Sequence, residues 1–320
     1  MREKVCALAL SPAIDKTIYV DDFALNGVNH ALKTLEVPGA KGVNVAKNLA
    51  RCGLDSVCFG FIGGKNGEFI CSELQKDGVE CDFVKVDYDA RTNIKIVDLK
   101  NSTYTDVNLL GNSPTKENIE MLKIKTKELA KKCSVVALGG SLPPGVDASL
   151  YYELAKIAKA EGALVTIDSC KEPLKVAIKA NPFAIKPNID ELEGTFGEKY
   201  NTTDEIINKA MSIYESGVSN VLISLGSEGA VAVCGGDVFR LYTLDVPVYN
   251  TVGAGDAFLS GFIYGIQKEL GIVEALRHSA SFSQAVVSSY AGDVTELSQF
   301  KKYIDSVRVE SVYTKGGARV

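Results

Sequence analysis

The sequence contains one glycine-rich turn whose residues suit phosphoryl transfer: Thr251-Val252-Gly253-Ala254-Gly255-Asp256. Two glycines before a helix-like segment allow a tight turn whose backbone N–H groups point outward. Together with the positive end of the helix dipole, these donors form an anion site for a transferring phosphoryl group. An aspartate in the first turn lies beside that group and can accept the proton of an attacking hydroxyl. Asp256 is therefore a candidate general base; the alternative is a helix start that merely favours an acidic residue.

A second glycine turn precedes another helix-like segment: Pro38-Gly39-Ala40-Lys41-Gly42-Val43-Asn44-Val45-Ala46. Small residues let a ligand approach the backbone closely, and the Asn44 side chain offers both a donor and an acceptor to sugar hydroxyls. We expect a helix over residues 43–52, with Gly53 as its C-terminal cap. Taken alone, this pattern is also compatible with an ordinary junction between a loop and a helix.

Two common nucleotide-binding motifs are excluded by the same residues. The dinucleotide fingerprint needs a third glycine, and Phe258 stands at that place. The sequence also lacks the Gly-x4-Gly-Lys-Ser/Thr pattern of the P-loop. A nucleotide-dependent oxidoreductase on a doubly wound sheet is therefore disfavoured, and a phosphate-handling protein must use another scaffold.

The elements that would position these turns alternate between apolar, strand-like runs and amphipathic, helix-like segments. The strand-like runs are residues 5–10, 57–62, 135–138, 164–167, 183–185 and 221–225, and the helix-like segments include 116–131, 149–161, 203–216 and 257–270. Continuous apolar strands separated by helices indicate a parallel sheet that is covered on both faces. We therefore expect an α/β fold.

Two segments, 15–37 and 88–110, break this rhythm because their apolar and polar residues alternate. Alternation is typical of antiparallel strands with one face in water or against a partner. We interpret both segments as a small β lid beside the main sheet. Such a lid can close over a substrate and exclude water, and its apolar face can also form a dimer contact.

Composition excludes several other classes of protein. The 320 residues carry a net charge of −5, which is opposite to the basic surface of a nucleic-acid-binding protein. No apolar run reaches the roughly 18 residues of a membrane span. The eight cysteines are scattered without a Cys-x-x-Cys pair. We expect reduced, mostly buried thiols and a cytoplasmic location.

The two glycine turns, with five further matches along the chain, resemble the ribokinase-like (PfkB-type) carbohydrate kinases. The other matches are Ser11-Pro12-Ala13-Ile14-Asp15, Arg91-Thr92-Asn93-Ile94-Lys95-Ile96, Gly140-Ser141-Leu142-Pro143-Pro144-Gly145, Lys186-Pro187-Asn188-x-x-Glu191 and Ser224-Leu225-Gly226-x-x-Gly229. The resemblance covers nearly the whole chain. It is strongest to the branch that contains 1-phosphofructokinases and tagatose-6-phosphate kinases.

This resemblance implies a set of site residues. Asp256 would deprotonate the acceptor hydroxyl, and backbone N–H groups of Gly253, Ala254, Gly255 and Asp256 would stabilise the transferring phosphoryl group. The residues that would hold the sugar or its phosphate are Asp15, Gly39, Lys41, Asn44 and Arg91. A guanidinium fork such as that of Arg91 suits a phosphate, and Lys41 is a second candidate for it.

The resemblance also implies a nucleotide side. Lys186 and Asn188 would lie near the ATP phosphates, and Glu191 would position Mg²⁺ through water. The nucleotide cleft would be lined by Ser224, Gly226, Gly229 and Thr251, with Ser283 and Gln284 approaching the adenine.

The resemblance implies a ribokinase-like three-layer sandwich with a mostly parallel central sheet, forming one domain over residues 1–320 with the β lid. The expected reaction is transfer from MgATP to D-fructose 1-phosphate, with tagatose 6-phosphate or fructose 6-phosphate as alternative substrates. A non-catalytic sugar-phosphate sensor is a more distant alternative. Two residues depart from the branch: Ser11 replaces an asparagine and Ala40 replaces a glycine. If position 40 needs a positive φ, Ala40 is strained and sugar selectivity is affected.

Overall fold

The computed structural model describes residues 4–249, 251–289 and 297–313. The strands in this part of the chain are β1 (Lys4–Ala9), β2 (Ala13–Val20), β3 (Lys33–Gly39), β4 (Ser56–Ile62), β5 (Glu80–Lys85), β6 (Arg91–Asp98), β7 (Thr103–Val107), β8 (Cys133–Gly139), β9 (Leu164–Asp168), β10 (Ala184–Ile185), β11 (Asn220–Ser224), β12 (Ala230–Cys234), β13 (Asp237–Leu241) and β14 (Val309–Tyr313). The helices are α1 (Lys41–Arg51), α2 (Gly64–Lys76), α3 (Lys116–Ala130), α4 (Leu150–Ala160), α5 (Lys171–Ala177), α6 (Ile189–Phe196), α7 (Thr203–Glu215), α8 (Ala254–Gln267), α9 (Ile272–Val287) and α10 (Leu297–Ile304).

The main sheet has ten strands in the order β14-β13-β12-β11-β10-β9-β8-β1-β4-β5. All neighbours from β11 across to β5 run parallel. Strands β12, β13 and β14 extend the other edge in antiparallel fashion. The predicted mostly parallel central sheet is confirmed.

Helices cover both faces of this sheet because its strands are apolar on both faces. In β1, Cys6 and Leu8 belong to one buried cluster, whereas Val5 and Ala7 belong to the other. The first cluster takes side chains from helices α3 to α7, and the second takes them from α1, α2 and α8. Helix α9 packs with α8 under the antiparallel edge. This arrangement confirms the predicted three-layer α/β sandwich.

The sequence analysis located six of the seven parallel strands to within one or two residues, but it missed the parallel edge strand β5 and the antiparallel edge. The predicted strand over 5–10 is β1, and the predicted helix over 43–52 is α1, which begins two residues earlier and is followed by Cys52. Strands β12 and β13 are short and follow β11 without the intervening helices on which the prediction relied, and β14 joins this edge from the far side of α8, α9 and α10.

The smaller sheet has four strands in the order β3-β2-β6-β7. Strands β2 and β3 run antiparallel, as do β6 and β7. The central pair, β2 and β6, runs parallel, so the expectation of purely antiparallel strands was wrong for this pair. The physical reason is that β2 follows β1 and β6 follows β5. Because β1 and β5 run parallel in the main sheet, β2 and β6 both leave it at the carboxyl ends of its strands, in the same direction. We call these four strands the small sheet.

Among the residues described, no helix is both long enough and apolar enough to cross a membrane.

Candidate active site

Helix α8 begins immediately after a turn that only glycine accommodates easily. Gly253 has a φ of 82°, in the left-handed region, and precedes the first helical residue, Ala254. The Ala254 N–H donates to the carbonyl of Thr251 at 3.3 Å, so this one of the predicted anion-binding donors is engaged in the turn. The first-turn N–H groups of Gly255 and Asp256 have no partner one turn earlier within the helix, which suits them to an anion.

The carboxylate of Asp256 lies in the first turn of α8 and is 7% exposed. The Asn44 side chain, from the first turns of α1, donates from Nδ2 to Asp256 Oδ2 at 2.7 Å. Burial, with the nearby negative charge of Asp168, raises the pKa of Asp256 to about 6; Lys41, Asn44 and Lys186 act in the opposite direction. A carboxylate with a pKa of about 6 is ionised at neutral pH and is a stronger base than an ordinary aspartate.

A cluster of charges lies beside Asp256, and its centre was missed by the sequence analysis. Asp168, at the carboxyl end of β9, is 1% exposed. Lys41 Nζ lies 2.6 Å from its Oδ1, and Lys186 Nζ lies 3.3 Å from its Oδ2. One buried carboxylate thus holds two lysines. Asp168 could have been recognised as a candidate from its place directly after the apolar run 164–167, because ligands of open α/β sheets bind at the carboxyl ends of the parallel strands.

Lys41 belongs to this charge cluster, in which it contacts Asp168. Its Nζ also contacts Glu191 Oε1 at 2.9 Å. Burial alone would lower the pKa of Lys41, but Asp168, Glu191 and Asp256 outweigh it and raise that pKa, so Lys41 is charged. Its role toward the substrate phosphate stays a prediction, and its position also suits the phosphoryl group in transfer.

Glu191 and Asn188 form the N-terminal cap of α6. The Glu191 N–H donates to Asn188 Oδ1 at 2.7 Å, and the Asn188 N–H donates to Glu191 Oε2 at 3.0 Å. This reciprocal capping box fixes both side chains at the start of the helix. Glu191 Oε1, which is bonded to Lys41, therefore faces the charge cluster.

A cavity of about 890 Å³ opens from the start of α8 toward the antiparallel edge of the sheet. Every residue that the resemblance implied for the nucleotide lines it: Lys186, Asn188, Glu191, Ser224, Gly226, Gly229, Thr251, Ser283 and Gln284. Lys41 and the turn from Gly253 to Asp256 close one end. The structure thus brings this set together, and its volume lies within the range of small-molecule and cofactor sites.

Much of the cavity wall comes from a segment that the sequence analysis did not single out. Residues Leu241, Tyr242, Thr243, Leu244, Asp245, Val246 and Val248 line the cavity, with Ala280 and Val287 from α9. These side chains are mostly apolar and therefore suit the faces of a planar base. No motif marks them, because contact with a base requires apolar area and no particular residue type.

Asp15 and Gly39, which the resemblance implied for the sugar side of the site, lie on adjacent strands of the small sheet. A Cβ added to Gly39 would lie 1.8 Å from Asp15 Oδ2, so only glycine fits beside this carboxylate. Asn93, on β6, donates from Nδ2 to Asp15 Oδ1 at 2.8 Å. Burial raises the pKa of Asp15, against the opposing effects of Asn93, Arg91 and other cations. Asn93 was quoted in a motif but not predicted as a site residue, and it orients the carboxylate.

Arg91 begins β6, close to Asp15, and its guanidinium already has backbone partners. Its Nη1 donates to the carbonyl of Leu109 at 2.7 Å, and its Nε donates to the carbonyl of Ser11 at 3.3 Å. The first bond ties the start of β6 to the segment that follows β7, and the second ties it to the loop between β1 and β2. Binding of a phosphate by Arg91 stays a prediction, and it would use the donors that remain or exchange one of these bonds.

Ala40 meets the condition under which the sequence predicted strain. Its φ is 152° and its ψ is 156°, a region that glycine occupies far more easily than alanine. The residue lies between Gly39 and the first residue of α1, at the junction of the sugar side and the charge cluster.

Comparison with known proteins identifies the family. A profile of the pfkB family of carbohydrate kinases matches residues 3–297. The chain belongs to this family. As a pfkB carbohydrate kinase it is a phosphotransferase that acts on a sugar hydroxyl, as the sequence resemblance implied.

Individual relatives are similar over most of their length. The 1-phosphofructokinase of Borreliella burgdorferi is 34% identical over 97% of this chain and 99% of that protein. The tagatose-6-phosphate kinase of Staphylococcus epidermidis is 30% identical over 87% of this chain and 90% of its own. The crystal structure of a possible 1-phosphofructokinase from Thermotoga maritima superposes with a TM-score of 0.88 at 27% identity, covering 97% of this chain and 100% of the other.

Proposed function

We propose that this pfkB kinase transfers the γ-phosphoryl group of ATP to D-fructose 1-phosphate and forms fructose 1,6-bisphosphate. The single observation that carries the proposal is the buried Asp256, hydrogen-bonded to Asn44 at 2.7 Å and with a pKa raised to about 6. Asp256 lines the nucleotide cavity and, through Asn44, contacts helix α1, which begins beside the sugar side. The choice of sugar is supported by the similarity to 1-phosphofructokinases over nearly full length.

The nucleotide would occupy the cavity with its base against the apolar wall and its phosphates toward Lys186 and the start of α8. In this orientation the γ-phosphoryl group meets the N–H groups of Gly255 and Asp256. Lys186 Nζ lies 3.3 Å from the position of a Cβ on Gly255, so the lysine and the turn face the same space. Charge on a phosphoryl group in transfer is spread over its oxygens and is stabilised by such donors and cations.

The residues around Glu191 fit a Mg²⁺ ion that is held mainly by nucleotide phosphates and water. The buried oxygen Asp168 Oδ2 accepts no hydrogen bond, although Lys186 Nζ is its ionic neighbour. Glu191 and Asp168 are two carboxylates that share one lysine, and Mg²⁺ in kinases needs only one or two carboxylates. We propose that Glu191 and Asp168 hold it. When bound, Mg²⁺ would neutralise charge on the transferred phosphoryl group.

The chemical step would then require little beyond positioning and proton transfer. Asp256 would accept the proton of the acceptor hydroxyl as that oxygen attacks the γ-phosphorus. Asp15 and Asn44 would hold the other hydroxyls, and Arg91 would bind the phosphate that the sugar already carries. An ionised Asp256 is the active form of the base, so its raised pKa defines the acid limit of activity.

We propose that the chain forms one catalytic domain in which the small sheet acts as a lid. Its strand β7 is exposed at every residue, from Thr103 to Val107. Exposed apolar side chains on and beside this sheet include Leu35, Leu99, Tyr104, Val107, Leu109 and Leu110. A second copy of the chain would cover such a surface, so we propose a homodimer through the lid. The molecular mass in solution of the unaltered protein and of Val107→Lys tests the proposed dimer. A monomeric mass for both proteins contradicts it.

A cytoplasmic location is part of the proposal. Five of the eight cysteines are buried, and Cys71, Cys81 and Cys170 are partly exposed. Reduced thiols of this kind persist in reducing compartments. Fractionation of cells that express the tagged chain tests the location, and recovery with the membranes contradicts it.

The deciding experiment is a coupled assay of ADP release with MgATP and a panel of sugars. The panel contains fructose 1-phosphate, tagatose 6-phosphate, fructose 6-phosphate, fructose and ribose, with Asp256→Asn as the control for contaminating kinases. We expect a strong preference for fructose 1-phosphate that the control lacks. Preference for tagatose 6-phosphate, supported by a relative at 30% identity, would keep the mechanism and change the substrate. Binding of sugar phosphate without turnover would instead indicate a sensor.

A further inference from the structure

Two cysteines lie close together on neighbouring elements far along the sheet from the charge cluster. Cys71 is in the middle of α2, and Cys81 is the second residue of the edge strand β5. The Cys81 thiol donates to the Cys71 carbonyl oxygen, 3.8 Å from its Sγ. Ten positions separate the two residues in the chain. Two cysteines this close need little backbone movement to become a disulfide.

Exposure distinguishes this pair from most other cysteines of the protein. Both Cys71 and Cys81 are partly exposed, whereas Cys58, which pairs with Cys81 across β4 and β5, is fully buried. Cys170 is the remaining partly exposed cysteine, and it lies near the charge cluster. A reagent in solution can therefore reach Cys71 or Cys81 without unfolding the core.

The two thiols have unequal acidity, which divides the roles in an exchange reaction. The neighbouring Cys81 side chain lowers the pKa of Cys71 to about 7; partial burial opposes this shift and Lys85 supports it. The Cys71 side chain, together with burial, raises the pKa of Cys81. Cys71 is thus substantially thiolate near neutral pH and is the attacking sulfur, while Cys81 is suited to resolve the product.

We propose that Cys71 and Cys81 form a modification site that reacts with a small-molecule disulfide and closes into an intrachain disulfide. The site is independent of the proposed kinase reaction. The Cys71 thiolate attacks one sulfur of R–S–S–R, forms Cys71–S–S–R and releases RS⁻. Cys81 then loses its proton to solvent and attacks the Cys71 sulfur, which forms the Cys71–Cys81 bond and releases the second RS⁻. Two electrons pass from the protein to the reagent, which is reduced to two thiols.

The new bond would tie α2 to the edge of the main sheet. Helix α2 packs against β5 on one side and against β2 and β3 of the small sheet on the other. A cross-link between α2 and β5 therefore restrains the helix that supports the small sheet. We expect slower amide hydrogen exchange in α2 after oxidation, and the same exchange as before in α4 on the opposite face.

The test exposes the folded, full-length protein to oxidised glutathione and then blocks the remaining thiols with N-ethylmaleimide. We expect a species lighter by two hydrogens before blocking, two fewer alkylated thiols, and a cross-linked peptide that contains Cys71 and Cys81. Dithiothreitol should restore both thiols. Cys81→Ser should stop at one retained glutathione on Cys71, and Cys71→Ser should lose the cross-link.

Cys170→Ser is the matched control, because it removes a partly exposed cysteine and should leave the cross-link intact. Three results would overturn the proposal. The first is full alkylation of Cys71 and Cys81 after exposure of the folded protein. The second is a cross-link that contains Cys58, and the third is glutathione that stays on Cys71 in the unaltered chain.

Discussion

The hydrogen bond from Asn44 Nδ2 to Asp256 Oδ2 should control the pH at which the enzyme becomes active. At 2.7 Å it is a short bond to an ionised acceptor, and both side chains lie at the junction of α1 and α8. It stabilises the carboxylate form, and it opposes the burial that raises the pKa of Asp256 to about 6. Asn44→Ala removes the donor and leaves the carboxylate in place.

The structure gives both the sign and the size of the effect. A hydrogen bond to a charged group contributes about 1.5–3 kcal/mol. Each pKa unit corresponds to about 1.36 kcal/mol, so full loss of the bond raises the pKa of Asp256 by about 1–2 units. Alanine leaves space that water can enter and partly replace the donor, which favours a shift of about one unit. The base is active when ionised, so the acid limb must move to higher pH.

The assay is kcat/KM for the preferred sugar phosphate as a function of pH, because this ratio reports ionisations of the free enzyme. We expect the unaltered protein to reach half of its plateau near pH 6 and Asn44→Ala to do so about one unit higher. The control is Asn48→Ala, one turn along α1, where a buried amide donates to Ser260 Oγ of α8 at 3.4 Å. It loosens the same helix contact without touching Asp256. An unchanged midpoint in Asn44→Ala, or an equal shift in Asn48→Ala, would refute the reasoning.

Four further substitutions test other parts of the site. Asp256→Asn should lower kcat by on the order of 10²–10⁴, the range for a lost general base, and near-normal turnover contradicts that role. Asp168→Asn removes a negative charge that raises the pKa of Asp256, so its acid limb should move below that of the unaltered protein; a shift upward contradicts the charge argument. Arg91→Ala should raise KM for the sugar phosphate by on the order of 10–100-fold and KM for ATP little, and equal losses contradict its assignment. Ala40→Gly should raise the free energy of unfolding by about 1 kcal/mol, because relief of φ strain exceeds the added chain entropy; denaturant titration that shows a loss contradicts the strain.

The sequence was most informative where backbone geometry restricts the choice of residue. Gly253 supplies a left-handed φ of 82°, and Gly39 leaves space for the Asp15 carboxylate. No other residue type meets either requirement without strain, so these positions form recognisable motifs. Six of the parallel strands were equally visible, because burial on both faces produces continuous apolar runs; the edge strand β5 is only partly buried and lacks such a run.

The sequence was least informative where function depends on proximity in the fold. Asp168 is one acidic residue after an apolar strand, and its importance comes from Lys41 and Lys186, which join it from other parts of the chain. Asn93 becomes relevant only because β6 pairs with β2 and carries it to Asp15. The apolar wall of the cavity follows β13, in a segment whose residues have no distinctive pattern.

Lys41 shows how the separate parts of the site depend on one another. It begins α1, directly after the strained Ala40 and the glycine beside Asp15, yet its ammonium contacts Asp168 and Glu191 on the nucleotide side. Helix α1 therefore carries a cation to the carboxylates of Asp168 and Glu191 and, through Asn44, a donor to the proposed base, Asp256. A shift of the loop at Ala40 would move both groups relative to the carboxylates that they meet. Because these contacts are ionic or charge-assisted and largely buried, such a shift changes the pKa of Asp256 as well as the fit of the sugar. We therefore expect one helix to link selectivity for the sugar with activation of the proposed base.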